Sequence, residues 1–193
     1  MSFFEQPIDH QVNILRRLSI PSLLQACRTT RQFRNLCQTQ LDPYFQQLTQ
    51  ETFGITTLIK ENWYLTFLTV YNDLIKIVNM LLTLIPINPN HKKYLNINPI
   101  VADLEILLMK LLKDVNNHPT KYFDMHDDVL VYRGKFASRF EEILQIITII
   151  DVNTFVYDEI ELLIHYDDDV RDIIDNFFKK YVPSLNDVNT FIL

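Results

Sequence analysis

The chain has 193 residues, of which 48% are hydrophobic, 22% charged and 12% aromatic, a balance that excludes disordered and fibrous classes and suits one globular domain or two small ones with no need of metal or disulfide staples. Only two glycines, Gly54 and Gly134, serve the whole length, against an average usage of about 7%, so Gly-rich phosphate loops, dinucleotide-binding fingerprints and sheets with tight hairpins are nearly excluded and an all-α protein is expected. The net charge of −6 argues against nucleic acid as the principal partner. Residues 1–60 nevertheless carry Arg16, Arg17, Arg28, Arg31, Arg34 and Lys60 against only Glu5, Asp9, Asp42 and Glu51. A basic first third beside an acidic body fits either a binding face or the ordinary variation of helix surfaces.

Residues 7–48 read as three or four short amphipathic helices. Pro21 stands in the first turn of one, Thr29 or Thr30 caps the next, and Asp42-Pro43 opens another with a capping acceptor before a proline at the first helical position. Cys27 and Cys37 both fall inside apolar helical patterns, so they read as buried thiols of a reducing compartment rather than as a disulfide. The N-terminus has no basic region followed by an apolar run, and no secretory signal is expected.

Trp63, Phe67, Val70, Leu74, Ile77 and Leu81 recur at spacings of 4, 3, 4, 3 and 4, which predicts a helix over 62–84, about 35 Å long, with Trp63 in the core. Asn72, Asp73, Lys76 and Asn79 interrupt this most apolar stretch, so it is a core helix and no membrane span. Asn98-Pro99 opens the next helix, whose seam is Val101, Leu104, Leu108, Leu111 and Val115 and which stops before Pro119. The run Val129-Leu130-Val131-Tyr132 fits a strand or a turn of helix. Phe136, Phe140, Ile143, Ile147 and Ile150 outline a third long helix, Val156, Ile160 and Leu163 a fourth, and Val170, Ile173, Phe177 and Tyr181 a fifth that ends before Pro183. Short loops between them predict a bundle. Asp151-Val152-Asn153-Thr154-Phe155 returns as Asp187-Val188-Asn189-Thr190-Phe191, after Asp114-Val115-Asn116-Asn117; independent helix caps account for this better than true repeats do.

Few constellations suggest chemistry. None of His10, His91, His118, His126 and His165 has a second ligand at helical spacing, and no metal site is expected. The acidic runs Asp167-Asp168-Asp169 and His126-Asp127-Asp128 suit helix starts better than a hard cation, for want of a glycine turn and ordered ligand spacing. No Gly-x-Ser-x-Gly is present, so neither catalysis nor a cofactor is expected.

One segment does suggest a function. The order Pro7-Ile8-Asp9, Ile14-Leu15-Arg16-Arg17-Leu18, Leu23-Leu24-Gln25-Ala26-Cys27-Arg28, Phe33-Arg34-Asn35-Leu36-Cys37 and Tyr44-Phe45-Gln46-Gln47-Leu48 resembles an F-box. The shared features are a proline before the first helix, a leucine-rich first helix, a second with Leu-Leu ending in Cys-Arg, and an aromatic-x-x-Leu close. The chain departs from the family in having Gln6 where a leucine usually precedes the proline, the stretch Thr29 to Phe33 in place of the tryptophan expected after Cys-Arg, and Phe45 at the later tryptophan position. Trp63 through Asn72 looks like the Trp-x-x-x-Tyr-x-x-Leu-Tyr-Asn segment that follows F-box-like modules in proteins of large double-stranded DNA viruses.

The resemblance implies an F-box-like three-helix module over 1–55 and a bundle of longer helices over 56–193. It also implies a non-enzymatic adaptor that docks a Skp-type subunit of a cullin ubiquitin ligase through a face lined or supported by Pro7, Ile8, Ile14, Leu15, Leu18, Leu23, Leu24, Cys27 and Phe33. The place of action would be the host cytoplasm or nucleus. The alternative is a virion or assembly component that uses the same module for packing against other subunits. Neither reading calls for nucleic acid, a membrane or a cofactor.

Overall fold

The computed structural model describes residues 3–83, 98–118, 123–126, 129–132, 173 and 176–182. The fold is all-α. After a 3-10 turn at Phe3–Glu5 come α1 (Ile8–Arg16), α2 (Ile20–Thr29), α3 (Arg31–Gln38), α4 (Asp42–Phe53), α5 (Trp63–Thr83) and α6 (Asn98–Asn117). A single turn-and-a-half of helix follows at 176–181. Among the described residues the exception to helix is an antiparallel hairpin of β1 (Phe123–His126) and β2 (Val129–Tyr132), with Phe123 opposite Tyr132 and His126 opposite Val129. Val129 to Tyr132 is therefore a strand. A hairpin joined through Asp127 and Asp128, with no glycine between its strands, also corrects the near-exclusion of tight hairpins drawn from the glycine count.

The chain divides into two compact units, one of residues Met1–Glu51 and Thr56–Val70, the other of Thr52–Ile55 and Tyr71–Leu193. In the first, the local signals work as their chemistry dictates. Pro21 occupies the first turn of α2, where its missing N–H is one of the helix's orphans in any case. Thr30 caps α3, its Oγ1 accepting from Phe33 N at 3.1 Å. The core of this unit contains Leu15, Leu23, Leu24, Leu36, Leu41, Phe45, Tyr64 and Phe67, with the Phe45 ring 5.1 Å from Tyr64 and 5.7 Å from Phe67. Each such side chain removed from water contributes roughly 1.5–3 kcal/mol.

α5 begins under a double cap. Asn62 Oδ1 accepts from Leu65 N at 2.9 Å, and Asp42 Oδ1, from the start of α4, accepts from Tyr64 N at 2.9 Å. The loop ahead of α5 is pinned by the buried Thr66, whose Oγ1 accepts from the N–H groups of Ile59 and Lys60. Among the described residues the buried side chains of α5 are Tyr64, Thr66, Phe67, Val70, Leu74 and Val78. Trp63 and Ile77 are only half-buried, which corrects the placement of Trp63 in the core: Tyr64 and Val78, one position further on, are buried in their stead.

In the second unit, α6 buries Leu104, Leu107, Leu108, Leu111, Leu112 and Val115, a wider stripe than the predicted one. It ends with His118 N donating to Asp114 O and Val115 O. Asp114 to Asn117 is thus a helix end, so it is no third instance of a helix-start cap. The other two copies of that motif, the predicted helices over 136–150 and 156–163, and Asp167 to Asp169 lie outside the described residues. Of the predicted fifth helix, Phe177 and Tyr181 are buried and the turn ends at Val182, before Pro183.

Gly54, just past α4, holds φ +69°, the left-handed conformation that ends many helices. A Cβ there would lie 2.8 Å from Lys113 O, and the Asn116 amide donates to Phe53 O at 3.0 Å across the same contact.

Candidate functional site

Cys27 and Cys37 are bonded to each other, and both are fully buried. This corrects the reading of two separate thiols and removes the compartment argument built on it. The cause is the tight corner between α2 and α3: one extended residue, Thr30, joins them, and it folds positions ten apart in sequence back until their Cα atoms are 5.9 Å apart, within disulfide reach.

The residues singled out for partner docking divide into two sets. Leu15, Leu23, Leu24 and Cys27 are buried at 3% exposure or less; they hold the helices together and offer nothing to a partner's surface. Pro7, Ile8, Ile14 and Leu18 are exposed, the last three at 49%, 43% and 37%. On α1 the buried positions are Gln11 and Leu15. At 3.6 residues per turn Ile8 and Ile14 flank that buried strip on opposite sides, and Leu18 follows just past the helix end. Phe33 is half-buried, with the rings of Phe3 and Phe4 at 5.0 and 4.7 Å, so the N-terminal turn partly covers it.

The entrance to α1 carries a polar group that sequence reasoning missed. Gln11, buried, donates to Gln6 O at 2.7 Å, while the Gln6 side-chain Oε1 is buried with no hydrogen-bond partner among the described residues. The Gln6 side-chain carbonyl thus loses water without compensation among the described residues.

Three arginines also gather at the α2–α3 corner. Arg28, Arg31 and Arg34 are exposed. Burial raises the Tyr64 hydroxyl above its ordinary pKa, and the charges of Arg28 and Arg34 pull against that rise. Nearby, Arg16 lies 5.2 Å over the Tyr44 ring, and Tyr44 OH donates to Arg16 O at 3.3 Å.

In the second unit, Asp73 collects Lys76 at 2.9 Å and Lys180 and Tyr181 OH at 2.5 Å each. Burial alone would raise its carboxyl, but the hydrogen bonds from Lys180, Tyr181 and Lys76 hold it well below the usual carboxylate range. Burial and the neighbouring carboxylate drive Tyr181 well above the ordinary phenol range. The arrangement ties α5 to the helical turn at 176–181. With two of its four members donating as cations and the phenol held protonated, it is a structural clamp.

Among the described residues no group of three His, Cys, Asp or Glu side chains can hold a metal ion, and no helix is long and apolar enough to cross a membrane. Comparison with protein-family models, curated proteins and solved structures returned no match for this chain.

Proposed function

We propose that this protein is a non-enzymatic, F-box-like interaction protein of the kind encoded by large double-stranded DNA viruses, whose N-terminal helices dock a Skp-type subunit of a cullin ubiquitin ligase in the host cytoplasm or nucleus, while the helices from α5 onward present a target. The observation that carries the reading is the exposure of Ile8, Ile14 and Leu18 beside a closed core of Leu15, Leu23 and Leu24. Three apolar side chains left in water next to a completed core are side chains available to a partner. The residues left for docking are accordingly Pro7, Ile8, Ile14 and Leu18, on the two flanks of the buried strip of α1, with the half-buried Phe33 partly covered by Phe3 and Phe4.

Co-purification of the full chain with a Skp-type adaptor tests this. The double change Ile8→Asp and Ile14→Asp alters only exposed positions, so it is expected to leave the melting temperature within a few degrees while abolishing the complex. An adaptor complex that survives the double change, or no complex with the unaltered chain, sinks the reading. Leu23→Asp is no substitute as a test, because a charge at that core position unfolds the module.

A second reading, a structural component of a virion or another assembly, is favoured by apolar exposure outside residues 7–48: Leu58 at 52%, Ile59 at 38%, Met80 at 47% and Ile106 at 48%. The Cys27–Cys37 bond points the same way, since disulfides persist in oxidising surroundings such as virion and cell surfaces. Self-association of the purified chain that weakens on changing Met80 or Ile106 to Asp, with no adaptor bound, would favour it.

A further inference from the structure

We propose that Ser19, in the link between α1 and α2, is a phosphorylation site for a basophilic serine kinase that reads it through Arg16 and Arg17, and that the phosphate it acquires tightens the start of α2. This goes beyond the adaptor reading and does not rest on it, because it concerns a hydroxyl that the apolar docking residues do not use.

The sequence supplies the recognition element. Leu15-Arg16-Arg17-Leu18-Ser19-Ile20 holds the only adjacent pair of arginines in the chain, and they stand three and two places ahead of a serine that an isoleucine follows. From His10 through Leu41 there is no aspartate or glutamate, so no acid close in sequence opposes that charge pattern. Kinases sort their substrates by such patterns, and a cleft lined with carboxylates takes guanidinium groups through paired N–H donors.

The structure presents this element at the surface. Arg16, Arg17, Leu18 and Ser19 are all exposed. α1 ends at Arg16 and α2 begins at Ile20, and Ser19 between them is extended, with φ −60° and ψ 152°, so the acceptor serine is not enclosed in a helix. Ahead of it, Arg17 N and Leu18 N donate to Ile14 O and Leu15 O at 3.2 and 3.1 Å, the last turn of a short helix, which opens at little cost. Arg16 rests over the Tyr44 ring at 5.2 Å, a contact on the surface that a carboxylate can replace.

The hydroxyl itself is available. Thr30 Oγ1 caps α3, and Thr29 Oγ1 donates to Ala26 O at 2.8 Å. Ser19 holds the N-cap position of α2, yet its side chain caps no backbone N–H; its Oγ donates at 2.9 Å to Oγ of the exposed Ser22. The reaction breaks the bond from the γ-phosphorus of ATP to its bridging oxygen and forms one to Ser19 Oγ, while ADP leaves and the hydroxyl proton passes to the kinase's aspartate. The motif and the exposed hydroxyl define the site; the helix start decides what the phosphate does there. The first turn of α2 holds no acid, and a phosphoserine, with about −1.5 to −2 charges near neutral pH, supplies the negative charge that this end of the helix dipole favours.

The test is to incubate the full chain with Mg-ATP and the purified catalytic subunit of a cyclic-AMP-dependent kinase, a member of this class, and to map phosphate by mass spectrometry of the digested protein. Phosphate is expected on Ser19 of the folded parent. Ser22→Ala should leave that incorporation in place, whereas Arg16→Gln with Arg17→Gln should slow it about tenfold or more. Arg17→Gln alone, which keeps Arg16 over Tyr44, should slow it in the same direction. All these positions are exposed, so melting temperatures within a few degrees of the parent are expected, and lost incorporation then cannot be put down to lost fold. The phosphorylated chain should melt no lower than the unmodified one, which Ser19→Ala treated with the kinase controls for. No phosphate on Ser19 of the folded parent, a rate indifferent to both arginines, or a melting temperature lowered by the phosphate on Ser19 would each overturn the proposal.

Discussion

Gly54 shows how much one residue can decide. Its φ of +69° costs an L-residue about 1–2 kcal/mol, and its missing Cβ leaves room for Lys113 O at 2.8 Å. Gly54→Ala therefore meets both a strained backbone and a carbonyl that belongs to a helix and cannot step aside cheaply. A loss of about 2 kcal/mol or more is expected in urea unfolding; a loss under about 0.5 kcal/mol would mean that the α4 end and α6 are not in contact as described. The glycine was visible in the sequence as one of only two, but its partner was not, because Lys113 lies 59 positions away. Cys27 and Cys37 make the same point. Their types and spacing read as two separate thiols, and only the corner at Thr30 brings them to 5.9 Å.

At the scale of elements, helix starts were legible wherever the signal was local. Pro21 and Thr30 act where the sequence places them, and α5 and α6 run within a residue or two of their predicted ends. Asp42 is different. It reads as the cap of its own helix, α4, yet its carboxylate accepts from Tyr64 N at the start of α5. Asp42→Ala should cost roughly 1–2 kcal/mol, since it orphans a donor on the buried Tyr64, whereas Asp42→Asn keeps an acceptor in place and should retain most of that stability. Denaturant unfolding of both variants decides it: equal losses would show that Asp42 acts through charge and not as a cap. The seam of α5 was likewise legible in period but not in phase. Trp63 and Tyr64 are adjacent large aromatics, and which one faces inward depends on neighbours such as Phe45 that periodicity cannot supply.

For the molecule as a whole, the second unit predicts the response to pH. The Asp73 carboxyl is held low in the folded state, so its contribution is fully present above the unfolded aspartate value of about 3.9 and is lost as pH falls through the folded value. Tyr181, held high, contributes below the unfolded tyrosine value of about 10, and this is lost as pH rises beyond it. The melting temperature of the parent should therefore exceed that of Asp73→Asn across neutral pH, with the gap closing in acid below about pH 4. A gap that stays constant down to acid pH would remove the ionised carboxylate from the account. Lys76 and Lys180 are well exposed, so added salt should narrow the neutral-pH gap only in part, leaving the Tyr181 hydrogen bond.

The sequence alone determined the all-α class, because scarce glycine and long stretches of 3- and 4-residue apolar spacing leave few other ways to bury the side chains. It also determined most helix starts, which depend on caps within three residues. Whether a residue resembling part of a docking face is actually available was decided only in three dimensions. Leu23 and Leu24 fit the F-box pattern as well as Ile8 and Ile14 do, and nothing in their order distinguishes them. Packing does: α2 turns both leucines into the core, while α1 buries only Gln11 and Leu15 and leaves its flanking isoleucines in water.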